Sequence, residues 1–282
     1  MTYIDLGDER LIARLNINNG QLIGLSLDDK EFFHDGGSPD WEKNGWANSE
    51  IIMFPLVGPP KDYKVTIGSI GFPQDQHGIS RILPFVIKQH SKGYVQLIQE
   101  YKPHNLRNPK YQPGNGHPEH LFWPFACSIE KEFKIIDDRL VMTLSVANNS
   151  SDIMPYRAGW HPGFRLQGSV VDGAFTVDDE SSISLDEVIN ASLDPTRNAY
   201  ALKDVHSVRY SDNKTGKGIL VSSDDFKHMM LWSPGKDAGM FCIETATHPL
   251  GQAKGEELFV HGRFELLKPG ERRSYSVVLK PF

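Results

Sequence analysis

The chain has 282 residues, of which 39% are hydrophobic and 23% charged, with a formal net charge of -6. This is the make-up of an ordinary globular protein, long enough to bury a substantial core as one domain over residues 1–282. The acidic balance counts against a nucleic-acid partner, and no apolar run approaches the roughly eighteen residues of a membrane span, so a small, mostly neutral ligand is the expected partner.

The start, Met1-Thr2-Tyr3-Ile4-Asp5, has no basic stretch followed by an apolar one, which makes the cytoplasm the expected compartment. Period-two alternation then begins with Leu11, Ala13, Leu15 and Ile17. Asn18-Asn19-Gly20 turns the chain into a second strand carrying Leu22, Leu25 and Leu27. The segment from Phe33 to Asn48 breaks the pattern, and so does Lys102 to Phe122; both are rich in Gly, Pro, Asn and aromatic residues. Long irregular loops in a sheet protein often line a site. Their aromatics, Phe33, Trp41, Trp46, Tyr111, Phe122 and Trp123, either stack on a ligand or pin the loops, and pinning is the simpler role.

Alternation returns in Leu140, Met142, Leu144 and Val146 after the Asp137-Asp138 turn, and again in Tyr275, Val277 and Leu279 after Lys268-Pro269-Gly270-Glu271. A turn or two of helix is expected only near Ser184 to Ser192. The chain therefore reads as hairpins of half-buried antiparallel strands, an all-β fold. Cys127 and Cys242, the only cysteines, fit neither a disulfide framework nor a zinc motif and read as buried thiols.

Three places carry candidate chemistry. In Gly159-Trp160-His161-Pro162-Gly163-Phe164 a histidine sits between two glycines of the kind that form turns, beside an aromatic face suited to a sugar ring. Asp75-Gln76-His77-Gly78-Ile79-Ser80-Arg81 combines a polar approach with a glycine, so His77 and Arg81 can point into a cleft. Met240-Phe241-Cys242-Ile243-Glu244-Thr245 is an apolar run ending on a carboxylate, where partial burial would raise the pKa of Glu244 toward that of a useful base. A metal site from His77, His161, His248, His261 and Glu244 lacks the usual ligand spacings, so no metal is expected. There is no Gly-x-Ser-x-Gly elbow and no phosphate-binding glycine loop.

Taken in order, Ser49-Glu50-Ile51-Ile52-Met53-Phe54-Pro55-Leu56-Val57-Gly58, His77-Gly78-Ile79-Ser80-Arg81, Met154 to Phe164 and Phe241-Cys242-Ile243-Glu244 resemble the successive motifs of the aldose 1-epimerase (galactose mutarotase) family, most closely its LacX-like branch. Smaller echoes at Trp123-Pro124-Phe125, Asn148-Asn149-Ser150 and Pro269-Gly270-Glu271 extend the likeness over nearly the whole chain. The resemblance implies a β-supersandwich of two large antiparallel sheets and an enzyme that interconverts the anomers of a free hexose or related aldose by ring opening. It makes His161 the general acid, Glu244 the general base and His77 a hydrogen-bonding partner of the sugar, with Arg81 a further candidate for orienting it. Proximity to the carboxylate is expected to keep His161 charged. Two positioned proton transfers suffice for this reaction, so no cofactor is expected.

The sequence departs from the family pattern at the sugar grip. Pro59 and Pro60 stand where an arginine commonly follows, which leaves Lys61 or Arg157 to replace it or implies a different sugar. Thr245-Ala246 stands where the branch tends to have Pro-Trp, and the family's extra aspartate has no clear match beyond Asp178 and Asp179. Two alternatives therefore accompany the mutarotase reading. One is a non-catalytic carbohydrate-binding protein. The other is a hexose-6-phosphate mutarotase, which needs a basic cluster drawn from Arg81, Arg157, Arg165 and Lys61.

Overall fold

The protein is described from a computed structural model over residues 3–34, 49–197, 199–250, 259 and 263–282. Trp41, Trp46 and His261 lie outside the described residues. Two antiparallel sheets dominate. The larger has nine strands in the spatial order Ser181–Ser184, Gly173–Val177, Ser207–Asp212, Gly218–Ser222, Arg272–Pro281, Arg139–Asn148, Cys127–Ile136, Tyr94–Tyr101 and Val86–Ser91. The smaller runs Tyr200–Lys203, His228–Trp232, Met240–Ala246, Gly159–Arg165 and Glu50–Met53. A four-stranded sheet from Tyr3 to Glu31 joins them.

Alternation explains how the sheets stack. Leu140, Met142, Leu144 and Val146 on the large sheet are fully buried, as are Trp160, Phe164, Phe241 and Ile243 on the small one, and all belong to one apolar core. Phe133 meets Trp160 at a 6.2 Å centroid distance, and Phe241 packs on Tyr210 at 4.1 Å across the same interface. The fold is thus an all-β sandwich, as expected from the strand pattern. The single α-helix among the described residues, Leu185–Leu193, starts on a capping box in which Ser184 and Glu187 satisfy each other's backbone amides. No helix among the described residues is long and apolar enough to cross a membrane.

One sequence expectation is corrected here. Gly159 and Gly163 do not form turns; the whole of Gly159–Arg165 is a central strand of the small sheet. Gly159 is needed for close packing, since a Cβ there would lie 2.5 Å from the Thr245 carbonyl oxygen and 2.5 Å from Met53.

Candidate active site

Because Gly159–Arg165 is a strand, its side chains alternate between the two faces of the small sheet. Trp160 and Phe164 enter the core between the sheets, and His161 takes the opposite face. The neighbouring strand follows the same rule: Phe241 and Ile243 join that core, while Glu244 emerges with His161. The register pairs Trp160 with Thr245 and Gly163 with Cys242, which sets His161 directly across from Glu244. Trp232, at the end of His228–Trp232, completes this surface with its ring 6.3 Å from the His161 ring.

His77 arrives from above on a tight turn. Its amide donates to the Gly58 carbonyl oxygen, its own carbonyl accepts from Phe54 N, and Gly78 bridges back to Phe54, so the turn is stitched to the chain leaving Glu50–Met53. His77 has φ 64°, a left-handed conformation uncommon for a residue with a side chain. The backbone contacts hold it there, and its ring lies edge-on to His161 at 5.4 Å. Gly58 N donates to His77 Nδ1 at 3.1 Å, and the Gln76 side-chain nitrogen stands 3.1 Å from His77 Nε2.

Together Gly58, Pro59, Gln76, His77, His161, Trp232, Glu244 and Leu250 enclose a cavity of about 160 Å³. Its floor is the pair His161 and Glu244, each 3% exposed, with His161 Nε2 3.1 Å from Glu244 Oε1. The second carboxyl oxygen, Oε2, is buried and has no hydrogen-bond partner among the described residues. Burial raises the pKa of Glu244 to about 8. Burial, with the positive charge of Arg81 second, pushes His161 down to about 3. His77 is also held well below its ordinary value, by burial first and then by its neighbours His161, Arg81 and Lys110.

These shifts correct the expectation that the carboxylate keeps His161 charged. Removing both groups from water penalises an ion pair on each side, so burial favours an uncharged imidazole beside a protonated carboxyl, with one proton between them.

The other expected site residues divide sharply. Arg81 stands beside the cavity, where its Nη1 donates to the Gln76 carbonyl oxygen at 3.2 Å and its charge acts on both histidines. Trp160 offers no face to a ligand: it is fully buried on the opposite side of the strand, with its indole N–H bonded to Glu50. Trp232 supplies the aromatic wall in its place. Lys61 is exposed and is absent from the cavity wall, its stretch being turned outward by the short helix Lys61–Tyr63. Arg157 is buried with its Nε donating to the Arg263 carbonyl oxygen at 2.6 Å, and it does not line the cavity either. With Arg165 exposed at the far end of its strand, the four-residue basic cluster does not assemble.

Asp178 accepts hydrogen bonds from His206 N and Ser207 N and closes a turn, away from the cavity wall. His248 lies 3.2 Å from Glu265, and among the described residues no group of three or more His, Cys, Asp or Glu is placed to hold a metal ion. Gln76 and Leu250 were not singled out by the sequence, because each reaches the cavity from an irregular segment whose path alternation does not predict.

No family model matches the chain, and no curated protein matches it by sequence. Solved structures do match along its full length. A galactose mutarotase-like protein from Lactobacillus casei is 18% identical, covers 100% of both chains and superposes with a TM-score of 0.76. An Escherichia coli K12 protein described as a putative aldose 1-epimerase is 16% identical, covering 100% of this chain and 99% of its own, with a TM-score of 0.72. A galactose 1-epimerase from Lactobacillus acidophilus is 13% identical over 99% and 94% of the two chains, with a TM-score of 0.64. The chain has the galactose mutarotase-like fold.

Proposed function

We propose that the protein is an aldose 1-epimerase, interconverting the α and β anomers of a free hexose or related aldose. The observation that carries this reading is the buried His161–Glu244 pair, 3.1 Å apart on the floor of a cavity with His77 above it. Ring opening needs a base at the C1 hydroxyl and an acid at the ring oxygen, held within a few ångströms of one another. The neighbours along the chain, which include one described as a putative aldose 1-epimerase and one described as a galactose 1-epimerase, support the same reading.

The reaction requires only one proton on the pair. A sugar whose C1 hydroxyl donates to the open Oε2 of Glu244 stabilises the carboxylate form and draws the shared proton onto His161 Nε2. Glu244 then takes the C1 hydroxyl proton, the bond between C1 and the ring oxygen breaks, and the ring oxygen takes the proton from His161. The open aldehyde leaves Glu244 protonated and His161 neutral, the state that burial already favours in the cavity. Rotation about the C1–C2 bond and reversal of both transfers closes the other anomer. His77, held over the pair by its turn, hydrogen-bonds the sugar. Trp232 offers the apolar ring face that stacks on it.

Polarimetry on a panel of freshly dissolved aldoses tests the proposal: at least one should reach anomeric equilibrium faster with the protein than in buffer. Binding of a sugar with no acceleration would select a non-catalytic carbohydrate-binding protein instead.

A further inference from the structure

Gln76 and His77 are neighbours in sequence, yet both line the cavity and their side-chain nitrogens stand 3.1 Å apart. In an extended chain the two side chains would leave on opposite sides, so their convergence depends on the turn that carries them. The anchor of that turn is Asp75, a buried carboxylate that does not itself line the cavity. Its Oδ1 accepts from Gln76 N at 2.6 Å, and its backbone carbonyl accepts from Gly78 N at 2.9 Å. Its Oδ2 reaches a distant part of the chain, accepting from Asn108 Nδ2 at 2.8 Å and from His117 Nδ1 at 2.7 Å. One side chain thus ties the His77 turn to the irregular segment 102–122, which is absent from the cavity wall.

The segment is organised around that contact. Asn108 is buried, donates also to the Pro118 carbonyl oxygen and accepts from Lys110 N. Lys110 extends its Nζ to Gln76 Oε1 at 3.5 Å, so the segment holds the Gln76 amide as well as its backbone. His117 packs its ring on Tyr63 at 4.6 Å, and Tyr63 accepts from Gln74 N through its backbone carbonyl. The cluster calls for an ionised acid. Burial alone would raise the pKa of Asp75, but hydrogen bonds from Asn108 and His117 and the charge of Lys110 bring it below its ordinary value. An amide in its place would set an NH2 group against one set of these donors.

We infer that Asp75 is a positioning residue: through its ties to Asn108 and His117 it fixes Gln76 and His77 where they meet the ligand. Its effect on turnover rests on the mutarotase reading; its effect on the His77 ring does not. NMR of the histidine rings and steady-state mutarotation, both on the intact chain, test it. Asp75→Asn should move the His77 ring signal, identified by its loss in His77→Gln, and leave that of the exposed His206 in place. With an aldose that the wild type accelerates, it should raise KM by about fivefold or more with a smaller change in kcat, the mark of weakened binding. His117→Phe keeps a ring on Tyr63, removes one donor from Asp75 and should act in the same way to a lesser degree, which covers the case in which Asp75→Asn does not fold. Tyr101→Phe loses hydrogen bonds to the His104 and Trp123 carbonyl oxygens, and should lower the melting temperature while moving neither readout. A wild type that accelerates no aldose would count against the mutarotase reading alone, and the ring signals would then decide. An unmoved His77 signal in the folded variants would overturn the inference, as would an unchanged KM in an active enzyme.

Discussion

His161 and Glu244 face each other across adjacent strands, Nε2 to Oε1 at 3.1 Å, with the second glutamate oxygen buried and without a hydrogen-bond partner among the described residues. Their burial gives the pair one shared proton over a wide range, from the low pKa of His161 near 3 to the raised pKa of Glu244 near 8. If that singly protonated pair is the working form, kcat/KM should be level from pH 5 to pH 7 and fall about tenfold per unit above pH 8 as the proton is lost. A pH series of initial mutarotation rates measures this. Activity that climbs through pH 8 would show that a separate free carboxylate does the work.

The same shifts act on stability. Glu244 has a folded pKa above its unfolded value, so the folded state holds the extra proton and stability falls as pH rises between about 4.5 and 8. His161 has a folded pKa below its unfolded value, so its contribution is lost as pH falls from 6.5 toward 3. The two slopes cancel between pH 4.5 and 6.5, and the glutamate slope stands alone above that. Urea unfolding should therefore show the wild type losing stability relative to Glu244→Gln as pH rises from 6.5 to 8. Parallel curves for the two proteins would refute the burial argument.

The two tryptophans that flank the site should separate by phenotype. Trp232→Ala removes a wall of the cavity and should raise KM for the sugar several-fold, with a small change in melting temperature. Trp160→Phe removes the indole donor from the buried Glu50 and should cost about 1–3 kcal/mol of stability. Its effect on KM should be minor. Steady-state kinetics and thermal melts of both variants distinguish them.

Gly78 fixes the turn that carries His77. It has φ +69°, and a Cβ there would come within 2.5 Å of the Phe54 carbonyl oxygen and 2.6 Å of Pro55. Gly78→Ala should destabilise the fold by about 1–3 kcal/mol and displace His77, lowering the mutarotation rate. Gly68→Ala, at a comparable φ of +61° with nothing within 4 Å, should lower stability less and leave the rate unchanged.

Much of the fold was legible because the signal is local. Leu140 to Val146 and Tyr275 to Leu279 alternate as the sandwich requires, and the turn or two of helix expected near Ser184 to Ser192 is the described α-helix Leu185–Leu193. His77, His161 and Glu244, picked out by segment order, do meet in one cavity. Trp160 was misplaced for an instructive reason: reading Gly159 and Gly163 as turn residues hid the alternation that sends Trp160 and His161 to opposite faces. The charge state of the pair was out of reach, because a neighbouring carboxylate and deep burial pull His161 in opposite directions and only the structure gives the depth. Lys61 and Arg157 were candidates by position alone, and the cavity wall formed without them.

The central claim rests on Glu244 taking the anomeric proton. NMR saturation transfer between the anomers of an aldose that the wild type accelerates, repeated with Glu244→Gln, tests it most directly. The substitution keeps the shape of the side chain and removes the base, and should lower the exchange rate by about 10²- to 10⁴-fold while the protein still folds. Exchange at the wild-type rate in the folded variant would contradict the account.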